Sequence, residues 1–222
     1  MQRKFFVGAA LAAMVAAATL SACGSQDAGK SETHESPSMT PLGDVCEGIF
    51  DHETAAEAEK LLGSDRVSSD WSSRGASQDA SSKVAKILSR GMDRRYTVNS
   101  TCIFKKKPDS GRYLHIWFEW MLIEFDQVSA EGRLKGTSAA YQLDDGALTR
   151  LFVDCERPDL VKPGGKKNLL KVVISDPIGF SQQSRVRLLN ASAKKVVAGL
   201  KCENKVILPE ADVVIPEDPR LK

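Results

Sequence analysis

The side chains best equipped for chemistry in these 222 residues are three histidines and five cysteines, with a few serines in suggestive settings. His34 falls in a stretch rich in Ser and Glu, His52 near the start of an expected helix, and His115 on an expected strand. A serine or cysteine nucleophile needs an imidazole beside it, itself oriented by a third group. No Gly-x-Ser-x-Gly elbow is present: Gly179-Phe180-Ser181 comes nearest and lacks the closing glycine. Ser192-Ala193-Lys194-Lys195 has the Ser-x-x-Lys spacing of penicillin-recognising enzymes, but neither Ser-Asp-Asn nor Lys-Thr-Gly follows it. Gly164-Gly165-Lys166 would need Ser or Thr next to cradle phosphate, and Lys167 stands there. No two cysteines fall at the close spacing of a zinc site. His115 and Glu119 share a strand face but lie about 13 Å apart at strand rise, too far for one ion. These patterns assign no catalytic residue, no metal ligand and no cofactor. A hydrolase using His115 or His52 is the enzymatic alternative.

The element that must position His115 is a hairpin. Residues 98–107 and 112–125 read as two strands, joined by Pro108-Asp109-Ser110-Gly111. On the second strand, Leu114, Ile116, Phe118, Trp120 and Leu122 make one apolar face, and Tyr113, His115, Trp117, Glu119 and Met121 make a mixed one. Period two sends the first set to the core and the second toward a helix, solvent or a ligand. Aromatic rings with a polar handle suit sugars, peptides and protein interfaces. Tyr113, His115, Trp117 and Glu119 are therefore the candidate binding surface, with Trp71 as a further aromatic nearby in character.

Asp51 can cap a helix ending at Leu62 before Gly63, and Ser77 can cap a second one ending before Gly91. Residues 67–75 read as a polar loop. A short strand is expected around Tyr141, longer ones over 147–155 and 169–175, and a brief one over 206–208. Residues 156–167 form a turn-rich loop. The span 182–200 carries Val186, Leu189, Ala193, Val196, Val197 and Leu200 on one stripe and reads as a long amphipathic helix. Helices, a hairpin, further strands and a last helix predict an α+β domain over 42–208: a mostly antiparallel sheet with helices packed on one face. The tail 209–222, with three prolines and several acids, is expected to be loosely held.

The first 22 residues read differently. Arg3 and Lys4 precede an apolar run of about 16 residues, short of the roughly 20 a bilayer span needs, and small residues close it. The ending Leu20-Ser21-Ala22-Cys23 resembles the lipobox of bacterial lipoproteins. That resemblance implies cleavage before Cys23, lipid on its thiol, and residence at the outer face of the cytoplasmic membrane. Two acyl chains give the stable anchoring that one chain does not. Residues 24–41 then read as a tether, rich in Ser, Gly and Pro and too polar to fold. Cleavage removes two positive charges and no negative ones, leaving 29 basic side chains against 29 acidic ones. A balanced charge gives no sign of nucleic-acid binding, which wants a basic stripe, and no nucleic acid is expected as a partner. Local basic clusters remain at Lys105-Lys106-Lys107 and at Lys162, Lys166, Lys167 and Lys171.

With Cys23 taken by lipid, Cys46, Cys102, Cys155 and Cys202 form an even set in an oxidising compartment. Four cysteines allow three pairings. Cys46–Cys102 with Cys155–Cys202 is favoured, because each pair brackets one half of the domain. The lipobox, the Ser/Pro tether, Val45-Cys46-Glu47-Gly48, Trp117-Phe118-Glu119-Trp120, Phe152-Val153-Asp154-Cys155 and a terminal helix ending near Cys202 together resemble uncharacterised secreted lipoproteins of actinobacteria. That resemblance implies no activity for any residue. The expected role is a non-catalytic binding or interaction module at the cell surface. Its partners would be the membrane, through the lipid on Cys23, and an envelope protein or small ligand. A purely structural envelope component is the third possibility.

Overall fold

The computed structural model describes residues 39–68, 79–90, 99–107, 111–121, 123–128, 133–143, 147–160 and 169–210. All of them belong to one compact unit, Glu35–Lys222. The signal and lipobox region, Cys23, His34, Trp71, Leu122, the Gly164-Gly165-Lys166 loop and residues 211–222 lie outside the described residues.

Among the described residues seven strands form one sheet: β1 Met39–Pro41, β2 Arg66–Ser68, β3 Asn99–Lys105, β4 Tyr113–Met121, β5 Ala139–Leu143, β6 Leu148–Val153 and β7 Leu169–Ser175. Their order is β1-β2-β3-β4-β7-β6-β5, and every neighbouring pair is antiparallel. β7 is an interior strand between β4 and β6. Its Leu169, Leu170, Val172, Val173 and Ile174 are all buried, as a strand covered on both faces requires. β1 is an edge and carries Pro41, whose missing N–H costs nothing there.

Among the described residues three helices, α1 His52–Leu62, α2 Ala80–Leu88 and α3 Gln182–Leu200, pack on one face of this sheet. The fold is therefore α+β, as the element order predicts. α1 begins and ends where its capping residues say. The Asp51 carboxylate accepts from Thr54 N at 2.8 Å, and Gly63, at φ +64°, donates to Glu59 O at 2.7 Å. α3 buries Val186, Leu189, Ala193, Val196 and Leu200 against the sheet. It approaches α2 so closely that a Cβ added to Gly199 would stand 2.8 Å from Ala85 Cβ. In the same layer Trp120 is buried, and its indole N–H donates to Leu88 O at the end of α2, 3.0 Å away.

Both favoured disulfides are formed. Cys46–Cys102 has a Cα separation of 5.0 Å and Cys155–Cys202 one of 5.1 Å. The first ties the turn before α1 to β3, and the second ties the end of β6 to the end of α3.

Several boundaries differ from the sequence reading. β1 lies inside the segment read as tether, and β2 begins at Arg66 and runs into the stretch read as loop. α2 starts at Ala80 after Asp79 rather than after Ser77. β4 stops at Met121, and Phe125–Gln127 forms a short 3-10 turn instead of continuing the strand. Val206 to Leu208 makes no strand, although Ile207 exchanges hydrogen bonds with Ser138 beside β5.

Candidate functional site

The alternation along β4 separates its side chains as predicted. Leu114, Ile116, Phe118 and Trp120 are buried beneath the helices, while Tyr113, His115, Trp117, Glu119 and Met121 are half-buried on the opposite face. Part of that second face is roofed. Val128, Ala140, Phe152 and Leu169 form a small apolar cluster with Met121, Ile123 and Phe125. Arg133 holds the roof in place, with its guanidinium 5.3 Å from the Phe125 ring centroid and donating to Phe125 O and Val128 O. The helices cover the first face and this roof covers the Met121 end of the second.

The remaining stretch from Tyr113 to Glu119 carries all four residues of the expected binding surface, over roughly 20 Å of strand. His115 sits between two rings. Its centroid lies 4.7 Å from Trp117 at an interplanar angle of 36°, and 6.3 Å from Tyr113 at 48°. Such tilted contacts restrict the rings, so they can present a fixed surface to a ligand. The register places Lys171 of β7 opposite Glu119, and the two form an ion pair at one end of the row. Val173 lies opposite Trp117 and Arg150 of β6 lies opposite Val173, so the row is flanked by a buried methyl surface and then a guanidinium-bearing strand.

One neighbour could not be read from the sequence. A register shift between Ser100 and Cys102 in β3 places Ser100 opposite Trp117 and turns its hydroxyl toward His115. Ser100 Oγ and His115 Nε2 share a hydrogen bond of 2.7 Å. The only hint in the sequence was a serine within the partner strand, and no periodicity marks a bulge. A Ser–His pair invites a nucleophilic reading, but its chemistry is weak here. Burial pulls the imidazole down from 6.5 to about 4, so it is neutral at physiological pH and a poor proton acceptor. No carboxylate among the described residues hydrogen-bonds to the ring, whereas a triad needs one on the other nitrogen.

The other sequence candidates disperse. His52 opens α1 in an exposed position, far from this row in the fold's layering. Ser192 is buried in the middle of α3, and the Lys195 ammonium donates to Glu47 O, which leaves no Ser-x-x-Lys site. Among the described residues no cluster of His, Cys, Asp and Glu could hold a metal ion. Among them, too, no helix is long and apolar enough to cross a membrane. No family model, no curated protein and no solved structure matches the chain, so the sheet face itself is what any functional reading must start from.

Proposed function

We propose that the chain is a cell-surface lipoprotein, held at the outer face of the cytoplasmic membrane by lipid on Cys23, whose domain binds an envelope protein or small ligand. The binding surface is the β4 row of Tyr113, His115, Trp117 and Glu119. The observation that carries this reading is a set of mutually braced rings, half-buried on the β4 face opposite the helices and beyond the 123–128 roof. Two disulfides support the compartment, since such bonds persist where the environment is oxidising. Tyr and Trp bring large contact area with a polar tip and dominate the energetics of interfaces.

The Ser100–His115 hydrogen bond is the specific observation behind the second reading, a hydrolase. Its imidazole is pushed too low to be an efficient base, and this ranks it below binding.

Crosslinking and pull-down from intact membranes separates these roles. Replacing Trp117 with Ala should lower recovery of the genuine partner by about 30-fold, the loss expected for an interface hot spot. Cys23→Ala should lower the share of the protein in the membrane fraction while leaving that partner preference intact. Unchanged recovery of every partner from the Trp117→Ala protein removes this face from the proposal. Covalent capture of Ser100 by a serine-directed phosphonate would instead promote the hydrolase.

A further inference from the structure

The basic residues at 105–107 gain meaning from where the chain enters the domain. Lys105 ends β3 and is half-buried, and Lys106 and Lys107 follow it, both exposed. Across the hairpin, exposed Arg112 precedes Tyr113, the register partner of Lys105. On the other side Lys105 pairs with Ser68 of β2, two residues from exposed Arg66. Ser68 in turn pairs with Met39, the first residue of β1. At the usual spacing between strands, Met39 is therefore about 10 Å from Lys105. Arg66 donates from Nε to Met39 O at 3.1 Å, which joins the basic corner directly to the point of entry. The sequence 105–113 holds four basic residues and one acid, Asp109.

We propose that this corner, built from Arg66, Lys105, Lys106, Lys107 and Arg112, is a second membrane contact that takes the phosphate headgroups of anionic phospholipid. It rests on the reading that Cys23 carries lipid. Fifteen residues lie between Cys23 and Met39, and a Ser/Gly-rich chain of that length spans about 21 Å root-mean-square. The corner next to the entry point is thus the part of the domain held nearest the bilayer. It repeatedly comes within the Debye length of about 8 Å over which surface charge is felt. The mature chain has no net charge to draw the whole molecule down, so the local excess decides which side faces the lipid. Tethering raises the effective concentration of headgroups at the corner, which lets a weak contact be occupied. Tyr113 borders the corner, and an amphipathic ring is at home at the headgroup level. The consequence is orientation: the β4 row is presented along the membrane surface, to ligands that lie close to it.

The test uses the mature chain, residues 23–222, with Cys23→Ala, so that no acyl chain contributes. Cosedimentation is measured with vesicles of phosphatidylglycerol in phosphatidylcholine and with phosphatidylcholine alone, at rising salt. Binding should require phosphatidylglycerol and fade with salt. Lys106→Gln with Lys107→Gln should weaken it about 25-fold, or about fivefold per basic residue. Lys60→Gln with Lys194→Gln, two exposed lysines on α1 and α3, should change it less than twofold. Equal binding to both vesicle types, or equal losses from both double variants, overturns the proposal. So does tighter, Lys106/Lys107-dependent binding to soluble poly(glycerol phosphate) than to vesicles, which would assign the corner to a wall polymer. The anchor is read separately, from the mass of the native N-terminal peptide. An unmodified Cys23 beside charge-dependent vesicle binding would fail the lipoprotein reading and leave the corner standing.

Discussion

His115 spends its protonation equilibrium on packing. Trp117 and Tyr113 flank the ring and Ser100 holds Nε2, so burial lowers its pKa from 6.5 to about 4. The direction of the stability effect follows from which state binds the proton first. As pH falls below about 6.5 the unfolded chain takes up a proton on this residue, while the folded chain does so only near 4. Stability is therefore full at neutral pH and declines through that window on acidification. His115→Gln should flatten this part of the profile. Melting temperatures of parent and variant between pH 4 and 7 should converge toward the acid end, and parallel curves would show that His115 is not the group responsible. The alternation that put this residue on a part-exposed face was legible from period two alone. Its serine partner was not, because a bulge shifts register without leaving a mark in the residue types.

At the scale of elements, the loop from β7 to α3 shows how local chemistry sets a helix start. Asp176 is buried at 2 % exposure and its carboxylate accepts from the N–H groups of Ile178 (3.1 Å), Gly179 (3.0 Å) and Phe180 (2.7 Å). Burial nevertheless raises its pKa, with the three N–H groups pulling the other way. Gly179 sits at φ +102°, a conformation that side-chain-bearing residues rarely adopt. Beyond it the Ser181 hydroxyl caps α3 by accepting from Ser184 N, and the Glu57 carboxylate of α1 accepts from Ser181 N and from both serine hydroxyls. Asp176→Ala strips the acceptor from three backbone donors, one of them buried, and should cost about 2 kcal/mol. Asp176→Asn keeps one oxygen for Ile178 and Gly179 and should lose less. Urea unfolding checks the order through shifted midpoints at unchanged slope; an Asn variant as unstable as Ala would mean that the carboxylate charge, not the acceptor, matters. The caps at Asp51 and Gly63 and the stripe on α3 were readable because side chains act there within one helical turn. β1 and β2 were not, since three residues are too few to show a period. Nor was the interior place of β7, because its pairing with β4 depends on partners some fifty residues away.

For the molecule as a whole, the two disulfides close loops of similar size, with sequence separations of 56 and 47. Loop closure alone gives each about 4 kcal/mol and predicts nearly equal losses on removal. The backbone around them argues otherwise. Cys46 and Glu47 lie at φ +54° and +63°, followed by Gly48 at +66°, so two residues with side chains are held in the left-handed region. That conformation costs roughly 1–2 kcal/mol per non-glycine residue. The Cys46–Cys102 bond helps to hold it, together with Lys195 donating to Glu47 O and the Glu47 carboxylate accepting from Ser81 N at the start of α2. Losing the bond lets part of this strain relax. At Cys155–Cys202 the residues concerned are not in that region; of its near neighbours only Lys201, at φ +54°, is, and it does so as the ordinary end of α3. Removing Cys155–Cys202 should therefore destabilise the domain by about 2 kcal/mol more than removing Cys46–Cys102, despite its shorter loop. Paired alanine variants compared by denaturant unfolding, with peptide mapping under non-reducing conditions to verify the surviving bond, decide the matter. A larger loss from the Cys46/Cys102 pair would mean that the left-handed turn is held by Lys195, Glu47 and Ser81 without the disulfide, and that loop length alone ranks the two bonds.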